Sequence, residues 1–390
     1  MRPPCPAAGT HARRRSAAAP EDAAQWAAVI PEDNRFESDP EELLPEDPGL
    51  PADWEVGVPD PGDPADVARL TDLLRAHEKS GRGWADASEV DVLVEVSERG
   101  LRMRENVLVR DGDGVIRAWG GVHDRSVGRM LYVHVVDRTL PDDLASRCSE
   151  VLFAWAEGQA REVGSARGLD VQQIDTGAFA DDERQHRWLE GAAYKRVRTW
   201  WQMSRPVTPD EADLVPSPER WEREGVVFRQ VRRDGGVGMP DEDDLRAVHE
   251  VLESAFTDHF NSSEETFEEF VHRVREDPGH RWDHWWIAEI VDGDEPEPAG
   301  ALVGTVLDGS DGPDGSYVSY LGVLESARGR GVAKGLLNTI IADAAGRGRD
   351  RVGLEVDADS PTGAEGLYVA MGWRTKYVTE SWHRDVPLTD

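Results

Sequence analysis

From Trp54 onward, apolar residues fall into short strand-like runs and helix-like stripes, and the series occurs twice. In the first series, Asn106 to Arg110 and Val115 to Val122 read as strands flanking Asp111-Gly112-Asp113-Gly114, a hairpin connection. Met130 to Val136 reads as the next strand. Leu144, Cys148, Val151, Leu152 and Trp155 then trace one face of a helix, and Asp170 to Ile174 is a strand before a short helix ending near Ala192. In the second series, Val226 to Val231 reads as a strand and Leu245 to Phe256 and Glu265 to Arg275 as helices. Trp285 to Ile290, Ala301 to Leu307 and Tyr317 to Leu324 follow as strands. Ala333, Leu336, Leu337, Ile340, Ile341 and Ala344 mark a long helical face before the buried-type strand Val352 to Val356.

Strands alternating with helices predict an α/β (α+β) architecture. A local match supports a duplication. Trp188-Leu189-Glu190-Gly191-Ala192-Ala193-Tyr194 lies over Leu367-Tyr368-Val369-Ala370-Met371-Gly372-Trp373, and each is followed by a strand-like run ending at Pro206 or Pro387. Two tandem domains are therefore expected, at 54–206 and 226–390. Residues 207–225, with Pro209, Pro216 and Pro218 among charges, form the linker. Residues 1–53 are rich in Ala, Pro, Glu and Asp and cannot bury enough apolar surface to order; a helical piece near Ala23 to Ile30 is the exception, with Trp26 and Ile30 four apart.

Charge narrows the function classes. Seventy-seven acidic residues against 44 basic ones give a formal net charge of -33, and the lysines are Lys79, Lys195, Lys334 and Lys376. Such a field repels nucleic acid and anionic membranes and draws in cations, amines among them, so neither nucleic acid nor membrane is an expected partner. Cys5 and Cys148 offer no disulfide framework and no cysteine-rich metal site. No apolar stretch approaches the roughly 20 residues of a membrane helix, and Arg13 to Arg15 are not followed by a signal-peptide core. A cytoplasmic location is expected. His272, His280 and His284 lack ligand spacing, and Trp282, Trp285 and Trp286 read as core and interface aromatics.

Against that acidity one basic loop stands out. Val323-Leu324-Glu325-Ser326-Ala327-Arg328-Gly329-Arg330-Gly331-Val332-Ala333-Lys334 carries an apolar strand through arginines and glycines into an apolar helix. A helix start with free N–H groups, approached by glycine backbone, suits a pyrophosphate. A nucleotide P-loop is disfavoured, because Lys334 is preceded by Ala333 and followed by Gly335.

Arg328, Gly331 and Ala333 fill the pattern Arg or Gln, two residues, Gly, one residue, Gly or Ala, and Leu354-Glu355-Val356-Asp357, Leu367-Tyr368 and Met371-Gly372-Trp373 follow in order. In these motifs the chain resembles the GNAT superfamily of N-acetyltransferases, in its tandem-domain form, over residues from about 54 to 387. The resemblance implies two GNAT domains, each a mixed, mainly antiparallel sheet flanked by helices. It implies acetyl-CoA as cosubstrate, with Leu321, Gly322 and Val323 pairing the pantetheine arm and Gly329, Arg330, Gly331, Val332 and Ala333 cradling the pyrophosphate. Arg328, Arg330 and Lys334 would supply charge. Tyr368 matches the tyrosine that protonates the departing sulfur, against the alternative of a core tyrosine. Where relatives carry Asn in Asp-Asn-Pro, this chain has Asp359-Ser360-Pro361, and Ser360 can still donate one hydrogen bond. Glu355, Asp357, Asp258 and His259 remain open as the base. The first half reads as a degenerate copy: Asp137 to Asp143 contains no glycine, two carboxylates stand at the helix start, and Leu189 holds the tyrosine position. The implied acceptor is a small-molecule amine, the expected assembly a monomer or homodimer. A non-catalytic acyl-CoA-binding or protein-interaction module is the rival reading.

Overall fold

A computed structural model describes residues 43–44, 48–97, 104–213, 225–236, 238–256, 265–293, 295–307, 309, 312–360 and 363–388. The helical piece expected near Ala23 to Ile30 lies outside the described residues, as does most of the linker. Two sets of elements follow one another in the same order. The first is β1 (Glu55–Gly57), α1 (Pro64–Arg82), α2 (Glu89–Val96), β2 (Arg104–Arg110), β3 (Ile116–Ser126), β4 (Arg129–Val136), α3 (Asp142–Ala166), β5 (Val171–Phe179), α4 (Glu183–Gly191) and β6 (Lys195–Pro206). The second is β7 (Val226–Gln230), α5 (Glu242–Phe256), α6 (Phe267–Glu276), β8 (His280–Ile290), β9 (Glu297–Leu307), β10 (Gly315–Val323), α7 (Val332–Gly346), β11 (Arg351–Asp357), α8 (Ala364–Ala370) and β12 (Arg374–Pro387).

The hairpin between β2 and β3 closes as its composition demands: the Asp111 carboxylate accepts the N–H groups of Asp113 and Val115. The matched heptapeptides prove to be the same helix ending. Ala192, Ala193 and Tyr194 donate to the carbonyls of Trp188, Glu190 and Leu189; Met371, Gly372 and Trp373 donate to those of Leu367, Val369 and Tyr368. Both endings need a left-handed residue, Gly372 at φ 99° in one copy and Ala193 at φ 61° in the other.

All strands join one 12-stranded sheet in the order β1-β2-β3-β4-β5-β12-β6-β11-β10-β9-β8-β7. The two sets exchange their last strands. β12 pairs with β5 and β6, while β6 lies between β12 and β11. One face is covered by α3, which buries Cys148, Leu152 and Trp155, and by α7, which buries Leu336, Leu337, Ile340 and Ile341. On the other face α1 and α2 pack over β2 to β4 around Leu70, Leu108 and Trp119, and α5 and α6 pack over β8 to β10 around Leu245, Phe270 and Trp285. Between these helix pairs the polar side chains of β5, β12, β6 and β11 floor a groove. Trp285 and Trp286 enter cores on opposite faces of β8. Among the described residues, no helix is long and apolar enough to cross a membrane.

Candidate functional site

β10 carries the decisive irregularity. Its register against β9 runs from Gly315 to Val318, slips, and resumes at Tyr320, leaving Ser319 as the extra residue of a bulge. Parallel pairing with β11 is confined to Ser316–Val318 opposite Val352–Leu354, although β10 continues to Val323 and β11 to Asp357. A bulge bends the strand that holds it, and here the two strands part beyond it. Leu324 donates its N–H to Ala299 on β9, so by strand alternation the N–H and C=O groups of Leu321 and Val323 face the opening instead. Leu321 and Val323 rest their side chains on the α7 core, and Gly322 is buried.

The opened strand runs directly into the basic loop. Glu325–Ala327 form one 3-10 turn, and Gly329 and Gly331 take φ values of 80° and 79°, which a side chain resists. Gly331 caps α7 without a side-chain hydrogen bond, and the first turn of the helix holds no acidic residue. The N–H groups of Val332, Ala333 and Lys334 therefore stand at a positive helix end with no carboxylate in that first turn. Arg328 is 62% exposed, with Glu325 3.9 Å away. Arg330 is held by Asp292 at 2.6 Å, and Lys334 is exposed. These are features of a phosphate cradle, and they fit the pantetheine and pyrophosphate of an acyl-CoA.

The corresponding place in the first half is closed. β4 and β5 also part after Tyr132 and Thr176, but α3 opens with Asp142 and Asp143, and Asp137 turns its carboxylate onto the N–H of Thr139. Arg138 from this loop pairs with Asp182, the N-cap residue of α4. An ion pair thus spans this mouth.

Tyr368 lies on α8, half-buried against the α7 core, with Trp373 edge-on at 6.1 Å. Burial pushes its phenol up to about 12, and among the described residues its hydroxyl has no hydrogen-bond partner. Leu189, its counterpart, is fully buried. Ser360 follows β11, its N–H donated to Asp357 at 3.3 Å.

Of the base candidates, Glu355 points into the groove. Gln202 on β6 donates to its carboxylate and to the Thr379 hydroxyl. Although Glu355 is exposed to solvent, desolvation by the surrounding walls raises its pKa, and the Asp357 charge adds to the rise, against the lowering hydrogen bond from Gln202. Asp357 lies 3.6 Å from Arg198. Asp258 and His259 lie outside the described residues. Sequence reasoning missed the other groove residues: Tyr317, whose phenol burial and the Glu355 charge raise, and Tyr377, which accepts a hydrogen bond from Arg82 at 3.3 Å with Trp84 edge-on beside it. They could not be found by motif, because Arg82 and Tyr377 are 295 residues apart. The histidines disperse: His272 meets Glu276 at 3.6 Å, His280 packs between Trp282 and Trp285, and His284 bonds Asp283 at 2.6 Å. Among the described residues, no group of three or more His, Cys, Asp or Glu could hold a metal ion.

Comparison with known proteins gives these features a family. Residues 245–373, which span α5 to the end of the tyrosine motif, match the Acetyltransferase (GNAT) family. Over 228 residues the chain is 30% identical to the mycothiol acetyltransferase of Thermobispora bispora, an alignment covering 54% of this chain and 68% of that protein. This chain belongs to the GNAT family. It is an acyltransferase of tandem-domain type, and its cosubstrate is an acyl-CoA. The crystal structure of a GCN5-related N-acetyltransferase from Sphaerobacter thermophilus superposes with a TM-score of 0.66 at 25% identity, covering 87% of this chain and 97% of that one. A tandem GNAT protein from the clavulanic acid biosynthesis pathway shares the fold, with a TM-score of 0.61 at 15% identity over 86% of this chain and all of its own length, 100%.

Proposed function

We propose that the second half of the chain transfers an acetyl group from acetyl-CoA to the amine of a small molecule held in the groove. The observation that carries this reading is the bulged β10, which opens its edge beside an uncapped, acid-free helix start. Acetyl-CoA supplies the thioester: the amine nitrogen bonds to the acetyl carbon, the carbon–sulfur bond breaks, and coenzyme A leaves as its thiol.

The chain's own groups divide the rest. Leu321 and Val323 pair the pantetheine arm, and the Val323 N–H donates to the thioester oxygen as negative charge grows there. The amides of Gly329 to Ala333, with Arg328, Arg330 and Lys334, hold the pyrophosphate, and Ser360 offers one further hydrogen bond. Glu355 takes one proton from the substrate ammonium to leave a neutral amine that attacks. The nitrogen sheds a second proton as the amide forms, which restores to Tyr368 the proton it passes to the sulfur, so protons balance. The raised phenol pKa keeps Tyr368 protonated at neutral pH, as a proton donor must be.

Calorimetry with acetyl-CoA and thiol release with a panel of amines test the reading. The double variant Arg328→Glu, Arg330→Glu is expected to abolish acetyl-CoA binding. Failure of the unaltered protein to bind acetyl-CoA would sink the proposal, and binding without turnover on any amine would leave an acyl-CoA-binding module.

A further inference from the structure

The groove holds a cation that acyl transfer leaves without a task. Its acidic residues are mostly matched: Asp175 is paired with Arg129, and Asp357 has Arg198 at 3.6 Å. Glu355, by contrast, receives only the amide of Gln202 among the described residues. At the opposite wall Arg125 is the extra residue of a second bulge, where the register of β3 on β4 slips between Asp124 and Ser126. Bulges re-aim side chains. Arg125 belongs to the first half, yet the charges acting on it include Arg273, Tyr320 and Glu265 of the second, and Arg104 of β2, opposite His123 of β3, meets Glu276 of α6 at 3.2 Å, so this end of β3 faces the second half.

No carboxylate among the described residues pairs with Arg125. Glu265, the acidic group within its field, is already gripped by both arms of Arg273, at 2.7 and 2.6 Å. Besides the Tyr320 phenol, the other groups acting on Arg125 are cations, Arg129 and Arg273, and burial with Arg104 and Arg125 holds His123 down to about 3. Burial and these like charges depress the Arg125 pKa below its ordinary value. In a chain of net charge -33, a half-buried guanidinium that no described carboxylate pairs is costly unless something anionic arrives. The planar fork of arginine matches a carboxylate.

We infer that the acceptor is a zwitterion, an amine that also bears a carboxylate, with its amine at Glu355 and its carboxylate on Arg125. This rests on the proposed acetyl transfer in the groove and names the class of its acceptor. The bond changes are those of the transfer itself, and the carboxylate takes no part in them.

The test uses the full chain, acetyl-CoA, and a panel of amino acids and dipeptides with free carboxylates, each beside its carboxamide. The free carboxylates are expected to be the better acceptors by on the order of 100-fold in kcat/KM, and Arg125→Gln to bring them down to the carboxamides, with Arg125→Lys recovering part of the loss. The loss should fall mainly on KM, acetyl-CoA binding should persist, and thermal stability should not decline, because among the described residues no carboxylate pairs with Arg125. Equal turnover of carboxylate and carboxamide, a preference for phosphorylated amines, or an Arg125→Gln effect equal on both series would overturn the inference while the acetyl transfer stood. Loss of acetyl-CoA binding in the unaltered protein is a different failure, that of the parent reading.

Discussion

In the proposed transfer two side chains divide the proton traffic, and their surroundings set opposite demands. Tyr368 must stay protonated and Glu355 must ionise. Burial raises both, the phenol to about 12 and the carboxyl above its ordinary 4.5. For a base the sign is direct: activity appears only once pH exceeds the carboxyl pKa. A kcat/KM profile should therefore climb through an acidic limb displaced above pH 4.5. Glu355→Gln should erase that limb and cost about 100-fold, whereas Tyr368→Phe should lower kcat by a similar factor, about 100-fold, with acetyl-CoA affinity unchanged. A Phe variant with normal turnover would make Tyr368 a core residue. Tyr368 was legible in the sequence because its neighbours form a motif. Glu355 stood there as one carboxylate among several, since strand alternation says that it turns from Leu354 and Val356 but not what it turns toward.

At the level of elements, two helices with like places in the repeat have unlike first turns. α7 starts on glycine with bare amides; α3 starts with Asp142 and Asp143. That contrast was readable directly, because a helix dipole and its first-turn charges are local properties. The apolar pattern does not show α1 and α2, although Asp63 before Pro64 and the Ser88–Asp91 capping box announce them and the repeat requires them. The mainly polar composition of α1 hid its apolar stripe of Val67, Leu70 and Leu73. α5 is tied to β7 by Asp244, buried and hydrogen-bonded by Arg229 at 2.6 Å and Arg232 at 2.6 Å. Burial alone would raise its carboxyl, but the two guanidiniums hold it at about 2, below the ordinary 3.8. The stability it contributes is complete above pH 3.8 and fades as pH falls toward 2. Asp244→Asn should cost about 3 kcal/mol in neutral denaturant melts, and the deficit should shrink as pH falls through about 2.

For the molecule as a whole, the exchange of β6 and β12 governs what can exist alone. β11 pairs with β6 along its whole length, Arg351 to Asp357, and β12 meets β6 on its other side. A fragment of residues 226–390 would leave both of those edges open, so it should fail to form a folded monomer, while a chain cut within 214–224 should stay associated and active. Size-exclusion and circular dichroism decide the matter; a folded, monomeric 226–390 fragment would refute it. The sequence by itself determined the repeat, most element positions, the anion-ready loop and the asymmetry between its two copies. Each of these follows from periodicity, glycine geometry or helix-end charge, all encoded within a few residues. Only the tertiary structure decided the strand exchange, the parting of β10 from β11, and the groove that brings Arg82, Tyr377 and Glu355 together. Pairing partners far apart in the chain are chosen by the packing of the entire sheet, and no local pattern carries that choice.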